Sequence, residues 1–212
     1  MSDGISYTLL ASKGCGSAVV KACLAITGLP HAVEEIEYGQ PGPGRDRLLA
    51  LNPLGQVPTL ILPDGSVMTE SAAIALHLAE QAPGAGLALA PGDPARPAFL
   101  RWLAFLVGAV YPTFTYGDNP SRYVSGEAAQ AELRAGTDAY GQRCWRIAED
   151  ALEPDPWFLG RRFSVLDLYV SVVSRWRPRR PWFAEHCPKL HTVALRVDDD
   201  PRIARVWARN HG

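Results

Sequence analysis

The chain has 212 residues, 47% hydrophobic and 20% charged, with a formal net charge of −1. That length supports one large or two small domains with a substantial core, and the near-neutral charge excludes a general attraction to nucleic acid or anionic membrane. Met1-Ser2-Asp3-Gly4 lacks the basic start and apolar core of a signal peptide, and no apolar run is expected to approach the roughly 20 residues of a membrane span. Cys15, Cys23, Cys144 and Cys187 form neither a Cys-x-x-Cys pair nor a metal-ligand spacing. The expectation is a soluble cytoplasmic protein with reduced thiols and no metal.

Ser6 to Leu10 is a β-prone run, ended by Ala11-Ser12-Lys13-Gly14. A helix is predicted from Gly16 or Ser17 to Thr27, with Gly28 as its left-handed stop. Only Lys21 interrupts its apolar surface, so this helix should be buried on most sides. Ala32 to Tyr38 predicts a second strand, Pro41-Gly42-Pro43-Gly44 a loop, and Arg45 to Leu51 a short helix. Then comes Asn52-Pro53-Leu54-Gly55-Gln56-Val57-Pro58, leading into a hairpin of Thr59-Leu60-Ile61-Leu62 and Ser66-Val67-Met68 around a Pro-Asp-Gly turn. A helix starts at Thr69-Glu70-Ser71 and runs through Leu78. Strand, helix, strand, helix, hairpin, helix is a thioredoxin-like order.

Two places in this stretch carry chemistry. The residue before a proline is pushed to extended geometry, so Val57 should present its N–H and C=O as a strand edge does. Glu70 and Ser71 stand at a helix start, where free N–H groups favour a carboxylate, and the Glu70 side chain can hold an ammonium in the same place. A strand edge beside an amino-acid clamp suits a small peptide with a free α-amino-acid end, and glutathione is such a peptide.

Asn-Pro-x-Gly-x-Val-Pro-x-Leu, followed by the hairpin and Glu-Ser-x-x-Ile, resembles the glutathione site of the soluble glutathione transferases, bacterial-like and of Cys/Ser type. The resemblance implies a cis peptide bond before Pro58 and a glutathione-binding set of Gln56, Val57, Pro58, Glu70 and Ser71. Members of this family hold the glutathione thiolate with a Tyr, Ser or Cys between the first strand and first helix. Here Ser12-Lys13-Gly14-Cys15-Gly16-Ser17 offers Cys15, Ser17 and Ser12. The helix start and Lys13 favour a thiolate at Cys15. Ser17 is alternatively the N-cap, and backbone N–H groups alone are a further alternative. Tyr7 comes too early to match the tyrosine of the tyrosine-type classes.

From Gln81 to Pro97, four prolines and three glycines mark a linker, and the chain beyond reads as all-helical. Phe99, Trp102, Leu103, Phe105, Leu106 and Val110 recur at helical spacing, and Pro112 should kink or end that helix. Ser125 should cap a long helix to Leu152, with Leu133, Tyr140, Cys144 and Ile147 inward. Ser164 and Asp167 make a capping box, with Phe163 stapled to Leu168. The expected fold is therefore an α/β thioredoxin-like domain (βαβαββα) over residues 1–83, a linker over 84–95, and an all-α domain over 96–212. The resemblance further implies an electrophile pocket drawn from Tyr111, Phe114, Tyr116, Arg175 and Trp176, and a homodimer. The basic run from Arg175 to Trp182 is expected as a solvated loop or an anion-binding rim. The implied activity is a glutathione transferase acting on a hydrophobic electrophile or a disulfide, and the alternative is a non-catalytic binding or scaffold protein of the same fold.

Overall fold

The computed structural model describes residues 6–211. It divides into two compact units, one taking the chain up to Ala88 together with everything from Arg196 on, the other running from Leu89 to Leu195.

In the first unit β1 (Tyr7–Ala11), α1 (Ser17–Thr27), β2 (His31–Glu35), α2 (Pro43–Leu51), β3 (Thr59–Ile61), β4 (Val67–Met68) and α3 (Ser71–Gln81) follow in chain order. The sheet order is β2-β1-β3-β4. β2 runs parallel to β1, which requires a crossover that α1 supplies, while β3 and β4 are antiparallel. α1 is buried from Ser17 to Leu24 and stops where Gly28, at φ 66°, returns its N–H to the Leu24 carbonyl. A Cβ is disfavoured at that backbone angle, so glycine ends the helix cheaply. β2 is shorter than expected, because after Ile36 donates to Ala11 the chain closes a turn between Glu37 and Gln40. α2 begins earlier than expected, with Pro43 in its first turn, where a missing N–H costs nothing.

The second unit is helical: α4 (Arg96–Phe105), α5 (Tyr111–Asp118), α6 (Glu127–Ala151), α7 (Val165–Val173), α8 (Arg180–His186) and most of α9 (Pro188–Asp198). Pro112 does not end its helix. A π-helical segment, Leu106–Val110, joins α4 to α5 and absorbs the missing N–H just before the proline. The continuous run Arg96–Asp118 is 23 residues long with a mean hydropathy of 1.3 over its apolar window, so one run does reach span length by size and composition. Phe99, Trp102, Leu103, Leu106 and Val110 along it are nonetheless buried in the protein, as in a core helix.

α6 is capped at Gly126 rather than Ser125, and its phase differs from the expected one. Gly141, Cys144, Trp145, Ala148 and Glu149 face inward, whereas Tyr140 and Ile147 are exposed. The fully buried Trp145, edge-on to Phe183 at 5.1 Å, sets the inner face. The expected all-α domain over 96–212 is likewise cut short, since α10 (Ala204–His211) meets α1 of the first unit.

The capping box opens α7. The Ser164 hydroxyl accepts from the Leu166 N–H, and the Asp167 carboxylate accepts from the Ser164 and Phe158 N–H groups at 2.8 and 2.7 Å. The Phe163 ring stands 5.1 Å from Trp157. Burial pushes the Asp167 carboxyl up to about 7, more than these donors pull it down. An acid whose folded pKa lies above its unfolded value binds its proton more tightly when folded, so stability falls as pH rises from about 4 to about 7. Asp167→Asn, which keeps only one carbonyl acceptor for two N–H donors, should lower the melting temperature. The gap between wild type and variant should narrow between pH 4 and pH 7 in a thermal-shift series. A gap that widens with pH would contradict this assignment.

Candidate active site

Strand register brings three separate segments to one end of the sheet. Leu10 pairs with Thr59 and Leu60 with Met68. The end of β1, the start of β3 and the end of β4 therefore lie side by side, and each leads directly to a candidate segment: Ser12–Ser17, Gln56–Pro58 and Glu70–Ser71.

In the first segment Gly14 takes φ 70°, and an ideal Cβ there meets nothing within 4 Å, so backbone angle rather than space calls for glycine. The turn folds Cys15 back over Ser12. Cys15 Sγ lies 3.1 Å from the Ser12 carbonyl and 3.1 Å from Ser17 Oγ. Ser17 Oγ accepts from the Ser12 N–H at 3.1 Å and reaches the Ser12 carbonyl at 2.9 Å. Gly16, not Ser17, is the N-cap of α1. Ser17 is fully buried, Ser12 and Cys15 are half-buried, and Cys23, Cys144 and Cys187 lie in the core. Of the four cysteines, Cys15 is the one that is not buried, while of the two serines beside it Ser12 is equally half-buried and Ser17 is enclosed. The sequence pointed to Lys21 only as a break in an apolar helix. Its ammonium in fact reaches the Ser12 carbonyl at 3.4 Å, Glu35 at 2.6 Å and Asn210 Oδ1 at 3.3 Å.

The second segment is pinned from behind. The buried Asn52 donates to the Gln56 carbonyl at 3.0 Å and to Thr59 Oγ1 at 3.2 Å, and Thr59 Oγ1 also donates to the Gln56 carbonyl. The Val57–Pro58 peptide bond is cis. The Val57 side chain packs on the cluster of Leu10, Ile36 and Leu48. Among the described residues, no hydrogen bond engages the Val57 backbone.

In the third segment Glu70 occupies the N-cap of α3 at φ 64° and ψ 105°, a conformation L-residues rarely hold. Its carbonyl accepts the Ile74 N–H, so the helix starts beneath a strained and exposed acid. The Glu70 carboxylate makes no hydrogen bond or ion pair among the described residues. Ser71 is the first helical residue, beside N–H groups the helix cannot itself satisfy.

The second unit gathers part of the expected electrophile pocket. Tyr111 and Phe114 stand 5.5 and 5.0 Å from Trp176, and Tyr111 also meets Tyr169. Tyr116 is not with them. It meets Tyr123 edge-to-face at 4.8 Å and lines a groove of about 610 Å³ with Gly108, Ala109, Leu133 and Tyr140. Arg175 precedes the cluster but is half-buried. Neither reading of the basic run holds for Arg177, which binds Asp118 at 2.7 Å and Asp138. Arg180 likewise donates to the Ser171 carbonyl. Among the described residues no group of three or more His, Cys, Asp and Glu is placed to hold a metal.

Residues 17–81 match the family model of the glutathione S-transferase N-terminal domain. The GST-like protein YncG of Escherichia coli K12 is 32% identical over 198 residues, spanning 93% of this chain and 95% of the relative. The disulfide-bond oxidoreductase YfcG of the same organism is 28% identical over 162 residues, 72% of each chain. A sphingomonad glutathione S-transferase solved in complex with glutathione superposes with a TM-score of 0.79 at 25% identity, covering 96% of this chain and 98% of that one. The near full-length match to YncG, on a sheet that sets a cis Val57–Pro58 beside the Cys15 turn and Glu70, shows that this chain belongs to the soluble glutathione S-transferase superfamily.

Proposed function

We propose that the protein is a glutathione transferase that binds glutathione at the β3–α3 edge and handles its thiol with Cys15. The carrying observation is Glu70, an exposed carboxylate without a partner among the described residues, held at positive φ at a helix start. Such strain persists where a function fixes the geometry. Glu70 takes the ammonium of the γ-glutamyl group, Ser71 and the α3 N–H groups take its carboxylate, and the Val57 backbone pairs with the cysteinyl residue. Gln56 and Pro58 hold that edge in place. A purely structural member of the family has no need of this clamp. The half-buried Tyr111 and Trp176, backed by the buried Phe114, are the aromatic groups best suited to a hydrophobic second substrate. The four free thiols support a cytoplasmic setting.

Cys15 extends the chemistry to disulfides. Its thiolate attacks the glutathione sulfur of a mixed disulfide, the Cys15–glutathione bond forms, and the substrate thiolate leaves and takes a proton. A second glutathione thiolate then attacks the same sulfur, releasing oxidised glutathione and restoring Cys15. The other three cysteines are buried and do not serve as resolving thiols.

Charge-assisted hydrogen bonds contribute about 1.5–3 kcal/mol each, so Glu70→Ala should weaken glutathione binding about tenfold or more in calorimetry with little change in melting temperature. Undiminished binding would place the site elsewhere. Cys15→Ser should abolish disulfide exchange and spare conjugation, and oxidised glutathione should leave one adduct on Cys15 by peptide mass spectrometry. An adduct on another residue, or normal exchange by the variant, would remove Cys15 from the reaction. We further infer a homodimer, supported by the family relationship and by the exposed Tyr116, Tyr123 and Tyr140 around the α5–α6 groove. Light scattering should give twice the 23.0 kDa chain mass, and a single-chain mass at low micromolar concentration would refute it.

A further inference from the structure

We propose that Lys21 is a positioning residue for the Cys15 thiol, acting through the Ser12 carbonyl and the Ser17 hydroxyl. The inference rests on the reading of Cys15 as the reactive thiol. The Ser12 carbonyl is the meeting point of three donors: Cys15 Sγ at 3.1 Å, Ser17 Oγ at 2.9 Å and Lys21 Nζ at 3.4 Å. Ser17 has one hydroxyl proton and two acceptors within reach, the Ser12 carbonyl and Cys15 Sγ, while its oxygen keeps the Ser12 N–H. As a thiol, Cys15 donates to the Ser12 carbonyl. When that proton passes to solvent, Sγ becomes an acceptor 3.1 Å from a carbonyl oxygen, an unfavourable pairing unless a donor turns toward it. Ser17 is the donor in place, and rotation of its O–H delivers a hydrogen bond to the thiolate.

That rotation strips the Ser12 carbonyl of both the S–H and the O–H. Lys21 remains, so the carbonyl stays satisfied and a positive charge stays on the same carbonyl that Sγ faces. Each of the three N–H donors of the ammonium has an acceptor: Ser12, Glu35 at the end of β2, and Asn210 on α10. It is 6% exposed, and so keeps its geometry without competing water. The charged groups around the network are Lys21 from α1 and Glu35 from β2, with the exposed Lys13 on the turn itself; α10 contributes the neutral Asn210 amide.

The rate of Cys15 alkylation by iodoacetamide in the full chain, read by peptide mass spectrometry across pH, tests this without reference to turnover. Lys21→Met should slow the alkylation about tenfold near neutral pH and move the curve to higher pH. Glu35→Gln, which removes the carboxylate opposing that ammonium, should move it the other way by a smaller amount. Lys21→Arg should recover much of the wild-type curve. A role confined to packing would shift both charge variants in one direction or neither, and either result overturns the proposal. Should Lys21→Met fail to fold, Glu35→Gln at its solvent-facing site decides alone: a shift to lower pH supports the linkage, and an unmoved curve refutes it. A Cys15 that alkylates normally but proves dispensable for exchange would instead refute the assignment of the reactive thiol, leaving the Lys21 linkage to be read from the same curves.

Discussion

The pairing of β3 with β1 is the constraint on which the rest depends. Leu10 opposite Thr59, and Leu60 opposite Met68, put the Cys15 turn, the Val57–Pro58 edge and the Glu70 helix start at one end of one small sheet. Side chains alternate along a strand, so Leu9 and Leu10 point to opposite faces, and both are fully buried, as is Leu60. A slip of one residue would exchange the faces and mismatch close-packed side chains on both sides of the sheet. The same register lets Val57 pack its side chain onto Leu10, Ile36 and Leu48, while no hydrogen bond among the described residues engages its backbone.

Two loads are placed on that frame. Glu70 sits in a left-handed conformation that costs on the order of 1–3 kcal/mol, tolerated because α3 buries Ile74, Ala75, Leu78 and Ala79 immediately after it. Lys21 brings a charge into the interior, which is affordable only because each of its donors has an acceptor. In both places stability from ordinary packing supports a local arrangement suited to chemistry. The C-terminal residues take part as well, since Asn210 on α10 is one of the three acceptors.

Much of this was legible in local sequence. Gly28 stops α1, Ser164 and Asp167 box the start of α7, and the peptide bond before Pro58 is cis, each through the conformational limits of a few adjacent residues. What was not legible depends on contacts across the chain. Pro112 continues its helix because a π-helical segment makes room for it, and the bulk of Trp145 rather than apolar spacing sets the face of α6. Tyr116 lies five residues beyond Tyr111, well round the helix from it, and so turns to the groove instead of joining Trp176. Nothing in the sequence near Lys21 foretells Asn210, which is 189 positions away.

The central claim is that the β3–α3 edge recognises the amino-acid end of glutathione. Calorimetric titration of the wild-type protein with glutathione, and with the analogue lacking the γ-glutamyl amino group, tests it most directly. The account predicts saturable binding of glutathione, weakened about tenfold or more when the amino group is absent and Glu70 loses its partner. Equal affinity for the two peptides, or no saturable binding of glutathione, would contradict it.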